Sequence, residues 1–222
     1  MRNLTLAAAL ALLAAVTSAC GDDGRSYPAG RADSDYDLGS MALHLDDLPR
    51  GFTQTEIVQP PQSPAQFDNE TWSLIINADE ADSLLDQLEA QGRLNNYVSA
   101  FGPAGLGPVL SVTTVSTLYT DVEAARQSIE RFVCGLPLEN SVALEGFDVP
   151  KVGDGATGFF VRQQDAQGQT TFVDTTICFR TGRVTHAIQQ TSVAGSEDVA
   201  LGVRLAERML ARVNAAFDDL ES

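Results

Sequence analysis

Read from its N-terminus, the chain opens with a dense apolar stretch, Leu4 to Val16, built almost wholly from Ala and Leu and preceded by the single charge of Arg2. At about 1.5 Å per helical residue this run reaches about 20 Å, short of the roughly 30 Å hydrocarbon core of a bilayer. It therefore reads as a signal peptide over residues 1–19 rather than a permanent span. The pattern then becomes polar: Gly21 to Ser40 is rich in Gly, Asp, Ser and Arg and nearly lacks aliphatic residues. Residues 20–41 are expected to form a flexible tether, holding the folded part on the order of 25 Å from its attachment point.

Alternating and helical periodicities occupy the rest, 42–222, enough for one domain with a real core. Pro49 and Gly51 mark a turn into a short strand from Phe52 to about Val58, and Pro60, Pro61 and Pro64 interrupt regular structure after it. The stretch Trp72 to Ile76 fits no single period. Asp79 to Gln91 places Ala81, Leu84, Leu85 and Leu88 on one helical face, with Gly92 as the stop. Leu94 to Phe101 and Val109 to Tyr119 read as a hairpin across a Gly and Pro loop. Thr120 and Glu123 form a capping box opening a helix from Asp121 to Cys134, with Val122, Ala125, Ile129, Phe132 and Val133 in its apolar stripe. Gly135 to Gly153 reads as a surface excursion.

Three strands then form a meander: Ala156 to Gln163, Thr170 to Arg180 and Val184 to Thr191, with Cys178 opposite in facing to Ile177 and Phe179. Ser196 is placed to cap a last helix, Glu197 to Ala216, whose Leu201, Leu205, Met209 and Val213 recur every four residues. Short loops between these strands exclude parallel crossovers. The expected class is α+β: an antiparallel β-sheet with about three helices packed mainly on one face, in a single domain. Both halves run strands then helix, which hints at an internal duplication.

The end of the first apolar run, Val16-Thr17-Ser18-Ala19-Cys20-Gly21, resembles the bacterial lipobox, in which small residues precede a Cys whose thiol is acylated. Cys20 is the expected lipidation site and N-terminus of the mature chain, although Thr17 stands where that pattern most often has Leu. Cleavage after Ala19 without acylation is the alternative. Two or three acyl chains would anchor the protein stably to a bacterial membrane on its extracytoplasmic side. The formal net charge of the whole chain is −16, and loss of Arg2 makes it −17. Such a surface repels nucleic acid and anionic headgroups, so no nucleic-acid role is expected. With Cys20 assigned to lipid, Cys134 and Cys178 remain, and outside the cytoplasm such a pair tends to bond; two buried free thiols are the alternative.

Candidate chemistry is sparse. The glycine clusters at Gly102 to Pro108 and at Gly153 to Gly155 lack the Lys-Ser/Thr of a phosphate loop. Only His44 and His186 could serve as an imidazole base, and His186 shares its strand face with Val184 and Ile188, as a core histidine would. No Gly-x-Ser-x-Gly elbow occurs. The carboxylates Asp46, Asp47, Asp154 and Asp174 are candidates by position, with Asp174 inside a strand. Asp33-Ser34-Asp35-Tyr36-Asp37 alternates like a calcium loop but lacks its central Gly and distal Glu. No metal, cofactor or catalytic residue is expected, and the protein is read as no enzyme.

Leu45-Asp46-Asp47-Leu48-Pro49-Arg50-Gly51-Phe52, Gly92-Arg93-Leu94-Asn95-Asn96-Tyr97 and Lys151-Val152-Gly153-Asp154-Gly155-Ala156 resemble a group of exported bacterial lipoproteins and extracellular sensor domains. In layout the chain is similar to mycobacterial lipoproteins and to the extracellular sensor domain of a mycobacterial Ser/Thr kinase. That resemblance implies capture or sensing of a small molecule, lipid or envelope component, with no established reaction. A structural or protein-interaction role in the envelope is the alternative.

Overall fold

The computed structural model describes residues 25–55, 65–131, 134 and 144–221. Cys20 and the whole signal segment lie outside the described residues, as do the expected strand beyond Thr55 and part of the Gly135 to Gly153 excursion.

Among the described residues eight strands form one sheet: β1 (Phe52–Thr55), β2 (Ala65–Asp68), β3 (Arg93–Pro103), β4 (Val109–Tyr119), β5 (Leu144–Phe147), β6 (Gly155–Gln164), β7 (Thr170–Thr181) and β8 (Val184–Val193). Every strand pairing is antiparallel, in the order β1-β3-β4-β8-β7-β6-β5. β1 and β2 lie end to end along β3, pairing with Ala100 to Pro103 and with Asn95 to Val98. The α-helices among the described residues are α1 (Leu38–Met41), α2 (Asn69–Ile76), α3 (Ala81–Ala90), α4 (Val122–Arg131) and α5 (Val199–Glu221).

The expected fold class is corrected here. There are five α-helices rather than about three, and they cover both faces of the sheet. α1 and α5 lie over the face carrying Ile177, Phe179, Ile188, Leu118 and Val184. Trp72 of α2 and Leu88 of α3, with Ile129 of α4, cover the face carrying Val98, Val115, Cys178 and Ala187. The cause is in the central strands, whose inward residues are apolar on both sides of the pleat. A sheet apolar on both faces must be covered on both.

Trp72 belongs to α2, whose N-cap is Asp68, with Oδ1 accepting the Thr71 N–H at 2.8 Å. α4 starts one residue after the expected cap: Asp121 Oδ1, not Thr120, accepts from the Ala124 N–H. α5 is likewise capped by Asp198, which accepts from the Leu201 N–H, rather than by Ser196, and it runs to Glu221. Its every-fourth-residue stripe continues one step further to Phe217, which is fully buried. The repeat hinted at by the order of elements is not symmetric. A dyad relating two antiparallel units runs normal to the sheet and would keep both helices on one face, whereas α4 and α5 sit on opposite faces.

The tether boundary is also corrected, since the described residues 25–41 are packed onto the domain. Tyr36, Leu38 and Met41 are buried with Leu118, Val184, Val213 and Phe217, because three bulky apolar residues within six positions give this polar-looking stretch a face to bury. Arg25 donates to the Asn214 carbonyl at 3.1 Å and to Asp218 at 2.5 Å, and the Tyr27 hydroxyl donates to Asn214 Oδ1 at 2.9 Å. Arg183 locks this arm to the sheet. It donates to Asp33 at 2.6 Å, to the Arg31 carbonyl at 2.8 Å and to the Tyr119 carbonyl at 3.1 Å, and its guanidinium lies 4.4 Å from the Tyr36 ring.

Cys134 and Cys178 form a disulfide with Cα atoms 5.8 Å apart, which ties the end of α4 to the middle of β7. Cys134 holds a left-handed φ of 59°, a costly conformation for a side chain other than glycine, and the bridge pins the chain there.

Candidate functional site

His186, the best candidate base, is sealed in the centre of the sheet. Its ring stacks on Phe179 at 4.7 Å, and its two nitrogens meet the hydroxyls of Ser116 at 3.0 Å and Thr181 at 2.9 Å. It is 0% exposed, and burial pushes its pKa down to about 3, so the ring is neutral. Two hydroxyls on an inaccessible neutral imidazole make a satisfied core network. Nothing orients the ring as a carboxylate would, and substrate has no path to Ser116. His44 instead ends the arm, where its backbone N–H is held by Asp47 Oδ2.

The candidate carboxylates are dispersed and each has a structural partner. Asp46 and Asp47 both pair with Arg212 of α5. Asp154 accepts from Arg180 at 3.0 Å and from the Gly182 N–H at 2.7 Å. Asp174 accepts from Gln163 at 2.7 Å and Thr191 at 2.6 Å. In the aspartate-rich stretch, Asp33 pairs with Arg183, while Asp37 caps α1 through the N–H groups of Gly39 and Ser40. No group of three potential ligands for a metal ion occurs among the described residues.

Two concavities lined by described residues lie at the opposite end of the strands from the β3–β4 loop. Two open recesses meet at Gly92 and Thr120. One, of about 490 Å³, lies between α2, α3 and the start of β3; Asn69 and Arg93 line it, and Asp68, Glu70 and Glu89 are at its rim. The other, of about 510 Å³, lies between the end of α3 and the start of α4, with Gln87, Gln91, Asp121 and Gln127 among its walls. Gly92 allows this junction. Its φ is +74°, and a Cβ there would come within 2.6 Å of the Thr120 hydroxyl.

Behind the first recess sits a polar cluster that the sequence reading missed. Arg93 is only 3% exposed, and burial pushes its guanidinium pKa down. It donates to Asn96 Oδ1 and, at 3.4 Å, to the Thr117 hydroxyl, which itself donates to Asn96 Oδ1 at 3.0 Å. These two donors fix the orientation of the Asn96 amide, leaving Nδ2 buried without an acceptor. Trp72 Nε1 and Asn69 Oδ1 are buried and unpartnered as well. Each such group costs about 1–3 kcal/mol if nothing occupies it. The signal was an Arg directly after a helix-stopping Gly and an Asn inside a strand, both poor choices for a buried sheet face unless they meet one another.

No family model matches the chain, and no curated protein does. Among solved structures, it is similar to the extracellular domain of PknH from Mycobacterium tuberculosis, with 9% identity and a TM-score of 0.45, covering 80% of this chain and 94% of that one.

Proposed function

We propose that this protein is an extracytoplasmic binding module without catalytic activity, anchored to a bacterial membrane through lipidated Cys20, which takes a small polar ligand in the recess between α2, α3 and β3. The observation that carries the reading is the recess itself. Its 490 Å³ lies within the usual size of ligand sites, and it combines a buried guanidinium with rim carboxylates. The sealing of His186 and the pairing of the candidate carboxylates support a non-catalytic role. The disulfide supports an oxidising compartment. Among the described residues no helix is long and apolar enough to cross a membrane; the attachment in this reading is through Cys20.

Two experiments test this. Native mass spectrometry of the chain purified from its own host should show a retained small molecule, lost when Gly92→Val fills the junction. Fractionation should find Cys20→Ser in the soluble pool, and a variant that stays with the membrane would overturn the anchor.

A second reading, a protein-interaction role, is favoured by the opposite end of the sheet. There Leu106, Leu110, Phe172 and Val193 are exposed, with Phe172 and Val193 directly paired across β7 and β8. Cross-linking from cysteines placed at Leu106 that traps no second chain in whole cells would count against it.

A further inference from the structure

The two recesses that meet at Gly92 and Thr120 are short of donors rather than acceptors. Asn69 lines the first and is 8% exposed. Its Nδ2 donates to the Arg93 carbonyl at 2.7 Å, which fixes the orientation of the amide and leaves Oδ1 buried without a donor. Gln91 lines the second recess, and its Oε1 is buried without a donor as well. Asp68 and Glu70, on the wall of the first, are accounted for as the N-cap and first turn of α2. Glu89 is not. It lies on the same wall in the last turn of α3, at the negative end of the helix dipole, that turn has no basic residue, and Glu89 forms no ion pair among the described residues. Among the described residues lining the first recess Arg93 is the single base, and its guanidinium donates inward to Asn96 and Thr117.

What these groups lack is N–H donors and positive charge together. A water satisfies one acceptor, but it brings no charge and adds lone pairs of its own. A metal ion needs ligands that converge on a point, and no group of three His, Cys, Asp or Glu side chains does so among the described residues. An ammonium group donates three hydrogen bonds and accepts none. The two acceptors stand one in each recess, on either side of the Gly92 junction, so a molecule that meets both carries its donors at separate points along a chain. We propose that the joined recesses bind a linear polyamine, with one ammonium group at Asn69 Oδ1 and Glu89, the methylene chain crossing between Gly92 and Thr120, and a second amino group at Gln91 Oε1 beside Asp121. This rests on the binding reading above and names its ligand class.

The full chain, purified in a non-ionic detergent, is titrated calorimetrically with spermidine, diaminobutane, butylamine and Mg²⁺. A salt concentration of about 0.15 M screens diffuse attraction to the strongly acidic surface. The expected result is one saturable site for spermidine, with diaminobutane bound at least about tenfold more tightly than butylamine, since the second amino group adds a charge-assisted contact. Glu89→Gln removes a carboxylate that the end of α3 disfavours, so the variant should stay folded while binding spermidine at least about tenfold more weakly. Glu207→Gln, an exposed acid on α5, makes the same change in charge and should leave spermidine binding unaltered. No spermidine binding, equal loss in the two variants, equal binding of diaminobutane and butylamine, or displacement of spermidine by equimolar Mg²⁺ would each overturn the proposal. A different ligand retained in native mass spectrometry, with no spermidine binding, would overturn this ligand class while sparing the binding reading; the absence of both a retained ligand and spermidine binding would remove both.

Discussion

Replacing Arg183 by Met should release the N-terminal arm, and the size of the effect can be worked from the contacts. The Arg183 side chain is 4% exposed, whereas its partner Asp33 is 56% exposed. The ion pair is therefore screened and contributes at most about 1 kcal/mol. The bonds to the Arg31 and Tyr119 carbonyls are better shielded, at about 1.5–3 kcal/mol each for a charged donor. The ring contact with Tyr36 adds about 1 kcal/mol. Met recovers the apolar packing and is spared the desolvation of a guanidinium, so a net loss of about 3 kcal/mol is expected. For a chain of this size that lowers Tm by about 6–12 °C. Trypsin gives an independent readout, because Arg31 is half-buried and its carbonyl is occupied by Arg183. The wild type should resist cleavage after Arg31, and the variant should be cut there early. Equal cleavage of the two proteins, with Tm unchanged, would refute a docked arm.

Phe217→Ala opens the same contact from the helix side and should cost about 3–5 kcal/mol in urea unfolding, because the ring is fully buried against Tyr27 and Tyr36. Thiol titration of the denatured, unreduced chain should find Cys134 and Cys178 unreactive, and removal of both should cost up to about 4 kcal/mol. His186 is neutral when folded, with a pKa near 3 against about 6.5 when unfolded. Its contribution is therefore complete above about pH 6.5 and is lost as the pH falls from there toward 3. In His186→Gln, melts across that range should show a shallower loss with acid. Gly153→Ala should destabilise more than Gly195→Ala, although both positions have positive φ, since a Cβ at 153 meets the Arg180 carbonyl oxygen at 2.3 Å and one at 195 meets nothing.

Strand positions were legible from periodicity because the central strands are long and bounded by Gly and Pro. The Leu201, Leu205, Met209 and Val213 stripe likewise announced α5. Which face a helix covers was not legible, since alternation shows that two faces exist without saying which element reaches each. Caps were displaced by one or two residues because an Asp stood one position after the expected Thr120 and two after the expected Ser196, and an ionised carboxylate accepts the N–H more strongly. The arm escaped notice because Tyr27, Tyr36, Leu38 and Met41 are spaced irregularly among Gly and Asp, and no helical or strand period links them. The Arg93 cluster escaped for another reason: its members come from β3 and β4, and only the sheet register brings Arg93, Asn96 and Thr117 together.

The docked arm also decides how the domain would stand on a membrane. With Cys20 acylated, the chain from there to Arg25 spans at most about 18 Å, and Arg25 is fastened to the last turns of α5. This pole, where Thr120, Gly92 and Gly182 also lie, would press toward the headgroups, and β4 would rise about 36 Å from it to the Leu106 loop. The recess would then open into the interfacial layer, sampling molecules that travel along the bilayer before those in free solution. The outermost loop would be left to meet whatever approaches from the far side of the envelope.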